Sequence, residues 1–188
     1  MSELRFPDPP LADAVVLLRP WAELDVPAAL IERSDASVDR FQWPHDARYT
    51  EADARQFFIE QEQARLRGEE LHFAFVTPAS PSEVLGGGSL YAVDPRHGRA
   101  AVGYWLAPQA RGHGIATHAV RLLARHAFEK LEIARLELTC APDNLASQRV
   151  AERCGFTREG VLRSHIPYKG GRRDTVIYSL LAGELAAP

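Results

Sequence analysis

The sequence predicts an α+β fold in which a central mixed sheet is flanked by helices. Segments with strand-like alternation are interleaved with segments of helical periodicity along the 188 residues. A glycine-rich turn at residues 109–117 joins a strand-like run to an amphipathic helix. No run approaches the roughly 18 consecutive apolar residues that a membrane span needs. The length suits one domain, so we expect residues 1–188 to form a single domain with residues 1–14 as a loose or extended segment.

The first half of the chain predicts three strands and two helices. The predicted strands are Val15–Arg19, Leu71–Thr77 and Val84–Val93, and the predicted helices are Leu24–Arg33 and Glu51–Arg67. Thr50 is suited to cap the second helix, with Asp53 completing a capping box and Gly68 following its end. Residues 34–50 show little periodicity and predict a long loop or a short helix. Glycines 86–88 within a strand indicate a bulge or a close approach by another backbone.

The second half predicts a strand–helix–strand–helix succession followed by further strands. The strands are Arg99–Leu106 and Arg135–Cys140, the helices begin at Gly114 and at Asn144, and the later strand candidates are Phe156–Thr157, Val161–Leu162 and Thr175–Leu181. Asn144 is a favourable N-cap, and Gly155 stops the helix that ends at Arg153.

The turn between the first of these strands and its helix has the composition of a phosphate-binding loop. Gln109, Gly112 and Gly114 fit the spacing Q-x-x-G-x-G. A glycine turn at a helix N-terminus exposes several backbone N–H groups, which is an arrangement that binds anions. The turn lacks the third glycine of a dinucleotide fingerprint and the Gly-Lys-Ser/Thr of a P-loop.

The charge distribution favours a compact polyanionic ligand. The net charge is −3, yet no acidic residue lies between Asp94 and Glu129, and that window holds five arginines. Positive charge around a glycine turn suits a nucleotide, whereas the acidic chain as a whole argues against nucleic-acid binding. Cys140 and Cys154 fit a reducing cytoplasm, without zinc-ligand spacing. The N-terminus does not resemble a signal peptide, so we expect a cytoplasmic protein with no membrane association. Because no residues show metal-ligand spacing, we also expect no metal.

Two sequence blocks resemble the GNAT (GCN5-related N-acetyltransferase) superfamily, and its RimJ/RimL-like ribosomal-protein branch in particular. Residues 103–114, Gly-Tyr-Trp-Leu-Ala-Pro-Gln-Ala-Arg-Gly-His-Gly, resemble its acyl-CoA pyrophosphate loop, and residues 144–156 resemble the second block of that branch. The resemblance runs from about Val15 to Leu181 and is specific over residues 102–181. It implies a mixed, mostly antiparallel sheet in which two parallel strands, here Arg99–Leu106 and Arg135–Cys140, splay apart around the pantetheine arm of acetyl-CoA or another acyl-CoA.

The resemblance also implies which residues bind the cofactor. The pantetheine arm would bond the backbone near Trp105 and Leu106 and the side chain of Asn144, with Ser147 beside the thioester. The pyrophosphate would lie on the glycine turn and the start of its helix, a group made up of Arg111, Gly112, His113, Gly114, Ile115, Ala116 and Thr117.

Acyl transfer to an amine needs a proton donor for the leaving thiolate and a route for the amine proton. Ser147 is the candidate donor, because the tyrosine that many members of the superfamily use is replaced here by Ala151. The usual base glutamate is replaced by Ala101. Glu159 is a candidate base, and His113, His165, Asp94 and a bound water remain alternatives.

The acceptor site is expected between residues around Phe41 and a C-terminal loop, Ser164–Arg173, with Trp43 and Tyr168 as aromatic walls. The resemblance implies an acyltransferase acting on a protein N-terminus or a small amine. An antibiotic- or polyamine-modifying enzyme and a non-catalytic acyl-CoA-binding module remain alternatives. Edge strands in the C-terminal third offer a way to form a homodimer.

Overall fold

The computed structural model describes residues 3–34, 40–41 and 49–185. The strands in that part of the chain are β1 (Leu11–Ala12), β2 (Leu17–Arg19), β3 (Leu71–Val76), β4 (Gly86–Asp94), β5 (Arg99–Leu106), β6 (Arg135–Cys140), β7 (Thr157–Tyr168) and β8 (Gly171–Leu181). The helices are α1 (Val26–Ser34), α2 (Glu51–Arg67), α3 (Ile115–Lys130) and α4 (Leu145–Arg153). Within the described ranges, no helix combines the length and apolar character needed to cross a bilayer.

The strands form one mixed sheet in the order β1-β2-β3-β4-β5-β6-β8-β7. Only the β5–β6 pairing is parallel in this described sheet, which confirms the predicted mixed, mostly antiparallel architecture. That pair is in register only where Arg99–Ala101 face Arg135–Glu137. On their outer sides, however, β5 stays paired with β4 as far as Leu106, and β6 stays paired with β8 as far as Cys140. The two strands therefore splay apart beyond Ala101 and leave a wedge-shaped gap.

The two faces of the sheet are covered differently. Helices α3 and α4 pack on one face, where alternate strand residues such as Leu90, Val102 and Leu138 form the main core with Leu123. Helices α1 and α2 enclose a smaller cluster built on Val26, Ala29 and Ala54 with Phe58. On the face opposite α3, the indole of Trp105 stacks on Trp21, which in turn stacks on Phe58. The β6 residues on this second face, Arg135, Glu137 and Thr139, are half-buried, whereas those on the helix-covered face are buried.

The helices and strands with the clearest local sequence patterns have the predicted bounds or caps. Helix α2 has the predicted bounds, its capping box is formed by Thr50 and Asp53, and Gly68 ends it with φ +78°. Strands β5 and β6 also have the predicted bounds. Gly114 and Asn144 are the N-caps of α3 and α4.

The C-terminal third differs from the predicted short strands and loop. Strands β7 and β8 form one long hairpin, and residues 164–173 are its outer arm rather than a separate loop. Most β7 residues are exposed, so the strand lacks the alternation of apolar and polar residues from which a strand is predicted. The Arg172 guanidinium ties the arm together by donating to the carbonyls of Ser164 and His165.

The N-terminal segment is extended and packed rather than loose. Leu4 is buried and its N–H donates to the carbonyl of Arg65. The ring of Phe6 meets Phe73 edge to face at 5.5 Å. Its last residues, Leu11 and Ala12, pair with β2.

The glycine triplet in β4 is explained by close packing. A Cβ atom at Gly88 would lie 2.5 Å from Cζ of Phe75 and 2.8 Å from the carbonyl oxygen of Gly103. We expect Gly88→Ala to lower the free energy of unfolding by about 1–3 kcal/mol, because either the Phe75 ring or the β5 backbone must move. The measurement is denaturant unfolding. The matched control is Gly160→Ala, since a Cβ there meets no described atom within 4 Å. Equal stability of the two variants would contradict the packing argument.

Candidate functional site

The gap between β5 and β6 is crossed by a hydrogen bond on its helix-covered face. Tyr104 lies on β5 beyond the last paired residue, and its Oη donates to Oγ of Ser147 in α4 at 3.1 Å. Burial holds the pKa of Tyr104 well above its usual value. The phenol therefore stays protonated at neutral pH and remains a hydrogen-bond donor to Ser147.

Ser147 also lies near the Cys140 thiol, and its backbone is bonded by the N-cap residue Asn144. The Asn144 side chain accepts a hydrogen bond from the Ser147 N–H at 3.1 Å, which sets the first turn of α4. The Cys140 thiol at the end of β6 lies near the Ser147 hydroxyl, and burial raises the pKa of that thiol to about 11. Groups from β5, β6 and α4 thus lie together around the Ser147 hydroxyl, and the sequence did not predict that Tyr104 is one of them.

The glycine turn lies on the same side of the sheet as Ser147. Gly112 and Gly114 both have φ +80°, a region that favours glycine. Gly114 provides no side-chain cap to α3, so the first N–H groups of the helix have no partner within it. A Cβ at Gly112 would meet no described atom within 4 Å, so the turn is open there.

The other predicted cofactor residues flank this turn. The Arg111 guanidinium folds back and donates two hydrogen bonds to the carbonyl of Leu106, at 3.1 and 2.9 Å, which closes the turn on the end of β5. His113 is exposed within the turn, whereas Ile115, Ala116 and Thr117 are buried at the start of α3. The Trp105 indole points to the opposite face, which leaves its backbone as the part that borders the gap.

That opposite face carries a second bridge across β5, which the sequence did not reveal. A Cβ at Gly103 would lie 3.3 Å from Cε1 of Tyr91, so the Tyr91 ring passes over Gly103. Its hydroxyl faces the side chain of Thr139 on β6. Burial raises the pKa of Tyr91, so this phenol is also protonated. The only sign of this contact in the sequence is the small size of Ala101 and Gly103, which leaves room for a ring above β5.

Glu159, a candidate base, is held in an ion pair with Arg135. Its carboxylate accepts two hydrogen bonds from Arg135, at 2.7 and 2.6 Å, and one from Ser179 at 2.6 Å. The Arg135 guanidinium is the main cause that lowers the pKa of Glu159 to about 2. A carboxylate with so low a pKa is a weak base, and this argues against the role considered for it.

The alternative bases lie elsewhere on the protein. Asp94 bonds His97 at 2.6 Å in the β4–β5 turn, which adjoins the closed end of the gap. His165 is exposed on the β7–β8 hairpin.

Of the two aromatic residues expected to line the acceptor site, Tyr168 lies within the described residues. Tyr168 donates from Oη to the carbonyl of Arg40 at 2.6 Å, and the Arg173 guanidinium lies 4.3 Å over its ring. Arg173 also donates to the carbonyl of Phe41 at 3.0 Å, and Arg40 pairs with Asp143 just before α4. The hairpin therefore attaches residues 40–41 beside the site. Trp43 lies outside the described residues.

Comparisons with known proteins agree with this geometry. A family model described as an acetyltransferase (GNAT) domain matches residues 16–157. The Bacillus subtilis protein named "Probable N-acetyltransferase YjcK" is 34% identical over 137 residues, which are 72% of this chain and 75% of that protein. The ribosomal-protein-serine acetyltransferase of Escherichia coli is 36% identical over 81 residues, covering 43% of this chain and 45% of that protein. A solved structure of RimL, a ribosomal L7/L12 alpha-N-protein acetyltransferase, in complex with coenzyme A superposes with a TM-score of 0.80 at 26% identity, covering 92% of this chain and 96% of that one.

Proposed function

Because the chain belongs to the GNAT acetyltransferase family, within its RimJ/RimL-like branch, and is an N-acetyltransferase, we propose that its acceptor is the α-amine of a protein N-terminus. The observation that carries the reaction is the hydrogen bond between Tyr104 and Ser147 across the β5–β6 gap, on the side where the glycine turn opens. The names of two relatives, which act on ribosomal proteins, support the acceptor class.

Acetyl-CoA would bind along the gap. The pyrophosphate would lie on the N–H groups from Gly112 to Thr117, where the helix dipole also favours negative charge. The pantetheine arm would follow β5 beyond Ala101, where β6 no longer pairs with it. The Asn144 side chain borders the same path from α4. This placement leads the thioester to Ser147.

The proposed chemistry is direct transfer without an acyl-enzyme. The amine attacks the thioester carbonyl, a C–N bond forms, and the C–S bond breaks as the tetrahedral intermediate collapses. The nitrogen releases one proton to water as the C–S bond breaks. Ser147 donates a proton to the departing thiolate and regains one from water, while Tyr104 keeps its hydrogen bond to the Ser147 oxygen. The high pKa of the Tyr104 phenol suits this task because the group is protonated at all physiological pH values.

The test of the acceptor class is thiol release from acetyl-CoA over a panel of amines. We expect turnover with short peptides that have free N-termini and none with the same peptides blocked at the N-terminus, including blocked peptides that contain lysine. Turnover only with polyamines or aminoglycosides would show that the acceptor is a small amine and not a protein N-terminus. CoA binding without turnover on any acceptor would indicate a binding module.

A further inference from the structure

The outer arm of the β7–β8 hairpin is a basic surface on an acidic protein. Residues 164–173 contain Lys169, Arg172 and Arg173 and no aspartate or glutamate, whereas the whole chain has a net charge of −3. Asp174, the carboxylate that follows the arm, accepts a hydrogen bond from a backbone N–H inside it. A local excess of positive charge of this kind favours an anionic partner.

Arg173 is the cation of this arm that lies toward the gap. Val176 pairs with Cys140 at the end of β6, and Arg173 follows three residues further out along β8, a distance of about 10 Å. Val176 and Cys140 both belong to the core under the helices, so alternation along β8 directs Arg173 to the opposite face. Burial raises the pKa of the Cys140 thiol, and the charge of Arg173 acts against that rise. The guanidinium is therefore within electrostatic reach of the site.

The Arg173 side chain is half-buried and has no carboxylate partner in the described part of the chain. Its terminal nitrogens donate to the carbonyls of Arg40 and Phe41, at 3.2 and 3.0 Å, and its Cζ lies 4.3 Å from the centre of the Tyr168 ring. Its Nε is buried and bonds no described atom. The nearby Asp143 pairs with Arg40 instead. Partly buried charges are usually paired with an opposite charge, because neutral carbonyls only partly replace their hydration.

We propose that Arg173 binds a carboxylate of the acceptor, and that the preferred acceptor is a protein N-terminus with aspartate or glutamate at its second or third residue. The proposal rests on the N-acetyltransferase function above and narrows its acceptor class. The contacts to Arg40 and Phe41 use one hydrogen of each terminal nitrogen, so the guanidinium keeps N–H donors for a carboxylate. Such charge-assisted hydrogen bonds are the strong ones, and they would discriminate between acceptors.

The position of the acidic residue follows from the length of an extended peptide. The reacting amine is proposed to lie beside Ser147, near the Cys140 thiol. An extended peptide advances about 3.4 Å per residue, so an acidic side chain at the second or third position spans the distance of about 10 Å to Arg173. The eighth residue of the same peptide would lie about 24 Å from the amine, well beyond Arg173.

The test measures kcat/KM for peptides that differ only in the position of one aspartate, with the full-length protein. The peptides are amidated at the C-terminus and carry aspartate at the second, third or eighth residue, with asparagine at the other two positions. A further peptide has asparagine at all three. We expect the wild-type kcat/KM to be about 10-fold or more higher with aspartate at the second or third residue than with aspartate at the eighth or with none.

Variants of the arm separate Arg173 from the general charge of the hairpin. Arg173→Gln should lower that preference to less than about 2-fold. Because the preference is a ratio within one variant, a general loss from weaker contacts to residues 40–41 cancels. Arg173→Glu should reverse the preference toward a peptide with lysine at the same position. Arg172→Gln is the matched control, since Arg172 donates to the carbonyls of Ser164 and His165 and should keep the preference within about 2-fold of wild type.

Several results would overturn the proposal. One is a wild-type protein that does not distinguish the peptides, and another is a preference that persists in Arg173→Gln. An equal benefit from aspartate at the eighth residue, or an equal loss in Arg172→Gln, would mean long-range attraction by the arm and no contact with Arg173. If the wild-type protein acetylates none of these peptides, the protein N-terminus is the wrong acceptor. Turnover without a preference refutes only the carboxylate contact.

Discussion

Gly112→Asp is expected to raise the Kd of CoA by 10- to 100-fold, or about 1.4–2.7 kcal/mol. The substitution puts a carboxylate into the open part of the turn, where the pyrophosphate is proposed to lie. Two like charges about 5 Å apart near a protein surface repel by about 3 kcal/mol before salt screening. Isothermal calorimetry at two salt concentrations measures the effect, which should shrink as ionic strength rises.

Two matched variants separate charge from strain in that experiment. Gly112 has φ +80°, so any side chain there carries some backbone strain. Gly112→Asn has nearly the same shape and strain without the charge, and we expect it to bind CoA within about 3-fold of wild type. Gly170→Asp places the same residue at the same φ in the β7–β8 turn, also in open space, and should leave CoA binding unchanged. If Gly112→Asp binds as tightly as these two, the turn does not hold the pyrophosphate.

The sequence predicts well those features that depend on local chemistry. The capping box at Thr50 and Asp53 lies within one helical turn, so its geometry needs no tertiary information. The glycine turn can also be predicted locally, because the positive φ angles of Gly112 and Gly114 depend on the residue type at each position. Strands β5 and β6 alternate charged or small residues with apolar ones over a buried face, which gives clear bounds.

The features that the sequence missed depend on register between distant segments. Tyr104 and Ser147 are 43 positions apart, and their contact is set by where β5 ends relative to the first turn of α4. Tyr91 reaches Thr139 only because Gly103 leaves space between them, which becomes visible only once β4 is aligned with β5. The environment of Glu159 likewise depends on β8, which brings Ser179 to its carboxylate beside Arg135. Residue type alone therefore made Glu159 one candidate base, whereas its ion pair with Arg135 argues against that role.

Ser147→Ala is expected to lower kcat by about 10-fold or more with little change in CoA affinity. The variant removes the hydroxyl that is proposed to protonate the thiolate, and general-acid groups typically contribute at least that much. It should not unfold α4, because Asn144 caps the helix through the backbone N–H of Ser147, which alanine keeps. Alanine is also the better helix former. Steady-state kinetics with acetyl-CoA and the best peptide acceptor, together with calorimetry of CoA binding, measures the two quantities separately.

Tyr104→Phe provides the companion measurement for Ser147. Removing the Tyr104 hydroxyl leaves Ser147 in place but without the hydrogen bond across the gap, so kcat should fall by a smaller factor than in Ser147→Ala. In the double variant, the fold-loss in kcat should be clearly smaller than the product of the two single-variant losses, because both hydroxyls act on the same proton. Losses that multiply would mean that the two residues act independently. A wild-type kcat in Ser147→Ala would make Ser147 only a residue of the capped helix start and would transfer the donor role to the Tyr104 phenol, which lies 3.1 Å from it.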